Sequence, residues 1–207
     1  MFYLIKTPWW LKKLYPASLT WNMPGNEKVL YLSFDDGPHP AVTPIVLNTL
    51  KAFNAKATFF CIGKNVVENK EIYQRIIDEG HKVGNHTFNH LNGWETKDEE
   101  YIENVMEAEK YIDSKLFRPP YGRISRFKIS LLQKAGFNII MWDVLSGDFD
   151  KEKTKERCTE NVLLQAQPGS IVVFHDSEKA FERMNYTLPI VLEKFSEKGF
   201  TFKTITI

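Results

Sequence analysis

Side chains that can bind a metal ion or transfer protons recur where short apolar runs end. They are Asp35, Asp36, His86, His90, Arg118, Asp143, Asp148, His175 and Asp176. Two adjacent carboxylates repel each other, so Asp35 and Asp36 need a cation or an arginine nearby, although Asp-Asp-Gly-Pro is also an ordinary turn sequence. His86 and His90 are four residues apart, and in a helical segment both imidazoles would reach one metal ion. Together these residue types suit the metal-binding site of an enzyme.

The elements that must position these groups alternate along the chain. Apolar, β-rich runs predict seven strands, at 29–34, 58–62, 82–86, 116–118, 138–144, 170–174 and 201–205. Helical patterns separate them, at 41–53, 70–79, 97–114, 126–135, 153–165 and 185–198. Such alternation predicts parallel strands joined by right-handed crossovers, and the carboxyl ends of the strands would open on one face. The predicted fold class is α/β, a single-domain irregular (β/α)7 barrel.

The composition excludes several classes of protein. The 207 residues include 27 basic and 26 acidic side chains, which nearly cancel, so no nucleic-acid partner is expected. Two cysteines do not make a disulfide framework. No apolar stretch approaches the ~20 residues of a spanning helix, and Lys6 and Pro8 break the apolar N-terminus before it could act as a secretory signal. We therefore expect a cytoplasmic protein without a membrane span, while its oligomeric state is left open.

The irregular composition of residues 1–27 predicts an N-terminal arm, followed by a catalytic domain at 28–207. Trp9, Trp10 and Trp21 in the arm could form a sugar-binding or anchoring patch, but we favour the reading that they pin the arm to the domain. His81, in Glu79-Gly80-His81-Lys82, is predicted to be a surface loop residue.

Five short segments, taken in order, carry a resemblance to a known family. They are Ser33-Phe34-Asp35-Asp36-Gly37-Pro38, His86-Thr87-Phe88-Asn89-His90, Arg118-Pro119-Pro120-Tyr121-Gly122, Trp142-Asp143 through Asp148-Phe149, and Val173-Phe174-His175-Asp176. They resemble the five motifs of the NodB-type polysaccharide deacetylases, carbohydrate esterase family 4. The resemblance covers residues 28–205 and implies a hydrolase that removes N- or O-linked acetyl groups from an acetylated saccharide.

The resemblance also implies a metal centre. Asp36, His86 and His90 would hold one divalent ion and leave positions open for water and substrate. Zinc is the first choice, although two imidazoles and a carboxylate also suit cobalt, nickel, iron or manganese.

The same resemblance implies the catalytic groups. Asp35 would be the general base, Arg118 its charge partner, and His175 the general acid. Substrate contacts would come from the Tyr121 backbone amide and from an acetyl pocket formed by Trp142, Phe149 and Val173. Of these pocket residues, Phe149 replaces the usual tryptophan and Val173 the usual leucine.

One departure from the family pattern concerns the acid. Leu145 stands where the family usually has an aspartate that tunes the acid histidine. A substitute carboxylate would have to come from Asp143, Asp148 or Asp176, and we prefer one of the first two.

Two other functions are compatible with parts of the sequence. Another metal-dependent hydrolase of amides or phosphoesters would need more ligands, usually enough for two metals, and the sequence offers one Asp-His-His set. A non-catalytic, sugar-binding degenerate deacetylase should have lost its base or its acid, whereas Asp35 and His175 are both present.

Overall fold

A curled sheet of short parallel strands forms the centre of the fold. A computed structural model describes residues 3–207, so the first two residues of the predicted arm lie outside the described part. The strands are β1 (Val29–Asp35), β2 (Ala57–Cys61), β3 (Lys82–Asn85), β4 (Leu116–Phe117), β5 (Asn138–Ile139), β6 (Val144–Leu145), β7 (Ile171–His175) and β8 (Thr201–Phe202). They follow the order β5-β4-β3-β2-β1-β7-β6, with β8 beside the start of β1, and all pairs are parallel. The predicted barrel class is confirmed.

One segment, residues 138–145, contributes strands to both ends of the sheet. The sequence predicts a single strand at 138–144, but this segment forms β5 and β6, which lie at opposite ends of the strand order. The backbone of the N-terminal arm also hydrogen-bonds to residues of this segment. The Met141 amide donates to the Thr20 carbonyl at 2.7 Å, and the Leu145 amide donates to the Ile5 carbonyl at 2.8 Å. Residues 138–145 therefore pair with β4 at one end and with β7 at the other, and the arm supplies further hydrogen-bonding partners.

Helices connect the strands. They are α1 (Trp9–Lys12), α2 (Thr43–Ala52), α3 (Gly63–Glu68), α4 (Lys70–Asp78), α5 (Asp98–Glu109), α6 (Arg126–Lys134), α7 (Lys155–Gln165) and α8 (Phe181–Glu197). Ser125 and Thr154 begin α6 and α7, because each hydroxyl accepts a backbone amide three residues on at 3.2 Å. The short helices α1 and α3 were not predicted. Within residues 3–207, no helix is both long and apolar enough to cross a bilayer.

Alternation along β1 directs its polar residues into the barrel. Leu32 and Phe34 belong to the buried layer that also contains Val191 and Phe195 of α8. Because successive strand residues face opposite sides, Ser33 and Asp35 face the interior. The register places Ser33 beside Val173 and Asp35 beside His175. The interior face of β1 and β7 therefore carries the reactive groups, while the outer face holds the helices.

The arm contacts the barrel through charge pairs and through one of its three tryptophans. Lys6 and Lys12 lie 2.5 Å and 3.0 Å from the two carboxylate oxygens of buried Asp143. Trp21 is buried at 8% exposure, but Trp9 and Trp10 are 69% and 51% exposed. The prediction that the tryptophans pin the arm is therefore correct for Trp21 and wrong for the other two. The domain boundary at residue 27 stays a prediction.

The prediction for His81 is wrong, since this residue is buried at 7% exposure. Its Nδ1 atom accepts the Ala57 backbone amide at 3.1 Å, and its ring packs edge-on against Phe59. Burial, together with the positive charge of Lys56, lowers the pKa of His81 from 6.5 to about 4. The neutral ring is thus a structural acceptor at the start of β2.

We expect His81 to make the fold sensitive to acid. Because its folded pKa lies below its unfolded value, the unfolded state binds the extra proton, and stability that is complete above pH 6.5 is lost as the pH falls toward 4. The free energy of unfolding should fall by about 2 kcal/mol over this range, a value reduced from the full effect of the pKa shift because solvent screens part of the charge. The free energy of unfolding, measured from pH 7 to pH 4.5, should depend less on pH in His81→Asn, whose amide oxygen also accepts but does not titrate. The control is His39→Asn, at a partly exposed histidine; an equal change in both variants would contradict this assignment.

Candidate active site

Asp36, His86 and His90 come together at the carboxyl ends of β1 and β3. One ligand atom from each lies within 4.8 Å of the others. Asp36 Oδ1 is 3.8 Å from His86 Nε2 and 3.2 Å from His90 Nε2. Two ligands bound at ~2.1 Å to a tetrahedral zinc ion lie ~3.4 Å apart. The predicted triad therefore has the spacing of a metal site.

The two histidines converge through a turn and not through a helix. Residues 86–90 are non-helical, and Thr87 and His90 have φ values of 63° and 58°. Two asparagine side chains hold this turn. Asn85 Oδ1 accepts the Thr87 amide at 2.8 Å, and Asn104 Oδ1 accepts the two amides that follow at 2.9 Å and 3.0 Å. The sequence reading missed both asparagines, because nothing in the local pattern distinguishes them from solvent-facing residues.

Each imidazole has a polar contact at the nitrogen that faces away from Asp36. His86 Nδ1 lies 2.8 Å from the Arg118 carbonyl, and His90 Nδ1 lies 3.1 Å from the Tyr121 hydroxyl. Burial lowers the pKa of His86 to about 4, so its ring is neutral at pH 7. A proton on Nδ1 of each ring leaves the Nε2 lone pair available as a ligand.

The surroundings of Asp36 fit a metal ion. Its Oδ1 atom is buried and has no hydrogen-bond partner. Between residues 3 and 207, its ion-pair partners within 4.0 Å are the rings of His86 and His90 alone. A buried carboxylate oxygen without a donor is costly unless a cation compensates it. The nitrogen and oxygen donor set suits a borderline ion such as zinc.

Asp35 lies beside this triad and is paired with a fully buried arginine. Arg118 Nη1 donates to Asp35 Oδ1 at 2.6 Å and to Ser33 Oγ at 2.8 Å. The other guanidinium nitrogens donate to the backbone carbonyls of residues 140 and 141, and the group lies 4.0 Å above the Phe60 ring. Each nitrogen of the guanidinium thus has an acceptor, and Asp35 is fixed in orientation with its charge compensated.

The carboxylate that contacts His175 is Asp148. Its Oδ1 lies 2.8 Å from His175 Nδ1, and its Oδ2 accepts the His175 backbone amide at 2.8 Å. Burial opposes protonation of His175, but the Asp148 charge and hydrogen bond outweigh it and raise the pKa to about 9. Asp143 contacts lysines of the arm, and Asp176 accepts hydrogen bonds from Gly37 and Thr43. His175 therefore has a carboxylate partner, although Leu145 stands at the position where a carboxylate was expected.

Of the predicted substrate residues, Phe149 contacts His175 and Tyr121 contacts His90. Trp142 packs on Gly122, where an added Cβ would lie 2.4 Å from the indole. Phe149 lies edge-on to His175, with ring centroids 5.1 Å apart. Val173 lies in register with Leu145, two residues before His175 on the same face of β7. Tyr121 is over half exposed and has a φ of 59°, so its peptide is turned out of a regular helical path.

Comparison with known proteins identifies the class to which this fold and site belong. The profile of the family described as polysaccharide deacetylase matches residues 22–140. The chain belongs to the polysaccharide deacetylase family, whose members are metal-dependent. It is a hydrolase that removes acetyl groups from carbohydrate.

Individual relatives are similar over almost the whole chain. A peptidoglycan-N-acetylglucosamine deacetylase of Bacillus cereus is 33% identical over 202 residues, which cover 94% of this chain and 95% of the relative. A chitooligosaccharide deacetylase of Azorhizobium caulinodans is 35% identical over 158 residues, covering 73% and 75%. The crystal structure of the Bc1960 peptidoglycan N-acetylglucosamine deacetylase, in complex with 4-naphthalen-1-yl-N-oxidanyl-benzamide, superposes with a TM-score of 0.88 at 31% identity, covering 96% and 95%.

Proposed function

We propose that this enzyme removes the N-acetyl group from N-acetylglucosamine units of a glycan, with peptidoglycan as the first candidate substrate. The observation that carries the proposal is the convergence of one metal-ligand triad with a buried Asp35–Arg118 pair and a partly buried His175–Asp148 pair. A hydrolase that acts through an activated water needs a base and an acid beside its electrophile. The similarity to N-acetylglucosamine deacetylases supports the choice of sugar.

The proposed metal ligands are Asp36, His86 and His90, and zinc is the proposed ion. When bound, a divalent ion supplies Lewis acidity that polarises the acetyl carbonyl and makes water more acidic. The three side chains contribute one negative charge in total, because both imidazoles bind as neutral rings.

The remaining steps are assigned to this chain's own groups. Asp35 accepts a proton from the water that attacks the acetyl carbon, while Arg118 holds the carboxylate in position. The Tyr121 backbone amide donates to the developing oxyanion, a type of contact worth ~3 kcal/mol. Protonated His175 then gives its proton to the sugar nitrogen as the carbon–nitrogen bond breaks, and acetate and a free amine result. Trp142, Phe149 and Val173 enclose the acetyl methyl group.

Acetate release from peptidoglycan, chito-oligosaccharides and acetylated xylan, measured in parallel, tests this function. We expect turnover of the two N-acetylated substrates and little release from the O-acetylated xylan. A cytoplasmic location would favour the soluble oligosaccharide, whereas the relatives favour peptidoglycan, so the ratio of these two rates distinguishes the alternatives. Release from xylan alone would contradict the N-acetyl assignment, and no release from any substrate by the zinc-loaded enzyme would favour a non-catalytic binding role.

We expect His86→Ala and His90→Ala to lose zinc and to lose acetate release with it, because each variant removes one of three ligands. Elemental analysis of purified protein measures the metal, and circular dichroism checks that the fold persists. His81→Asn, which alters a histidine outside the triad at the opposite end of β2, is the control and should keep the metal. Full zinc occupancy in both triad variants would show that the ion binds elsewhere.

A further inference from the structure

Two fully buried side chains, Thr43 and Asp176, lie beneath the turn that carries Asp36. Asp176 Oδ1 accepts the Gly37 amide at 3.0 Å, and its Oδ2 accepts the Thr43 hydroxyl at 2.5 Å. The same hydroxyl oxygen accepts the His39 amide at 2.7 Å. The Thr43–Asp176 pair is therefore joined by one hydrogen bond and holds residues 37 and 39 through two others.

The fit between this pair and the turn leaves no room for a side chain. A Cβ added at Gly37 would lie 2.0 Å from Asp176 Oδ2, well inside the range in which atoms must move apart. Glycine is thus required at this position for close approach of the carboxylate. A carboxylate buried among uncharged donors is expensive and persists only where its hydrogen bonds are complete.

The turn needs such support because Asp36 has an unfavourable backbone conformation. Its φ is 81°, in the left-handed region that costs a residue with a Cβ about 1 kcal/mol or more. Two further hydrogen bonds flank it. The Asp176 amide donates to the Asp35 carbonyl at 3.1 Å, and Asn65 Nδ2 donates to the Asp36 carbonyl at 2.7 Å. The backbone carbonyls of Asp35 and Asp36 are therefore both hydrogen-bonded to neighbouring segments of the chain.

We propose that Thr43 and Asp176 are positioning residues of the metal centre, which act through the Gly37–His39 turn to hold Asp36 where its carboxylate meets His86 and His90. This inference rests on the proposed ligand triad. Metal affinity depends on ligand placement within about 0.5 Å, and outer partners of ligands typically contribute 10- to 100-fold to it. Because Asp176 follows His175 directly, one short segment of chain supports both the acid and the metal ligand.

The zinc dissociation constant of the metal-free protein, measured by competition with a chromophoric chelator, tests the proposal. Thr43→Val removes the hydroxyl but keeps the shape, and it should weaken zinc binding at least tenfold. Thr43→Ser restores the hydroxyl and should bind within about threefold of the parent. The matched control is Thr187→Val, at another fully buried threonine whose hydroxyl is hydrogen-bonded between α7 and α8; it should bind zinc as the parent does.

The thermal midpoint of each metal-free variant separates positioning from general stability. If Thr43→Val and Thr187→Val lose similar stability while both keep parental zinc affinity, the pair is merely structural and the proposal is overturned. Thr43→Ala, which also lacks the hydroxyl, replaces Thr43→Val if the latter does not fold. Failure of the underlying triad looks different: His90→Ala would then bind zinc as tightly as the parent, which overturns the metal centre itself.

Discussion

Asp35→Asn should lower kcat/KM for acetate release at least about 100-fold while the protein keeps its zinc. Asparagine has the shape of aspartate, and its oxygen can still accept from Arg118 Nη1, which donates to Asp35 at 2.6 Å. It cannot take a proton from water, however, so the base is removed without removing a metal ligand. Acetate release and metal content measured on the same samples check this expectation.

The adjacent substitution provides the matched control. Asp36→Asn makes the same chemical change one residue further on, and it should weaken zinc binding itself because Asp36 belongs to the triad. Neutralising the partner of fully buried Arg118 also destabilises the fold, by up to about 3 kcal/mol, so rates are normalised to folded protein. Near-parental acetate release by zinc-loaded Asp35→Asn would place the base elsewhere.

Asp148→Asn should move the alkaline limb of the kcat/KM–pH profile toward lower pH by about one unit or more. His175 acts in its protonated form, so activity is retained below its pKa and lost above it. Burial opposes that protonation, and the Asp148 carboxylate outweighs burial and raises the pKa to about 9. Asparagine can keep one hydrogen bond to His175 but removes the charge, so the pKa falls and activity at pH 8 falls with it.

A second buried aspartate controls for general effects of the substitution. Asp143 lies five residues earlier, and its carboxylate contacts Lys6 and Lys12 instead of His175. Asp143→Asn can alter the amplitude of the profile through the arm, but it should leave the alkaline limb in place. If Asp148→Asn also leaves the limb unchanged with the same metal bound, His175 is not the acid that the profile reports.

The fold class could be predicted from the sequence because its signals are local. Continuous apolar runs such as Ile171-Val172-Val173-Phe174 are typical of strands covered on both faces, and helical spacing between the runs implies parallel connections. The same reading predicted reactive groups at strand ends, and the structure brings Asp36, His86 and His90 together there. The division of residues 138–145 into two strands could not be predicted, because its backbone partners come from the distant arm.

Which carboxylate serves His175 was decided by the tertiary structure alone. Asp143, Asp148 and Asp176 all lie close to a strand end, and their spacing in the chain does not rank their distances from the imidazole. Asp143 is held by Lys6 and Lys12, which are 137 and 131 residues away in sequence. Asp176 is next to His175, but because neighbouring strand residues face opposite sides its carboxylate turns to Gly37. Only Asp148 reaches the ring, since the path of the loop after β6, and not the sequence interval, sets the distance between these two side chains.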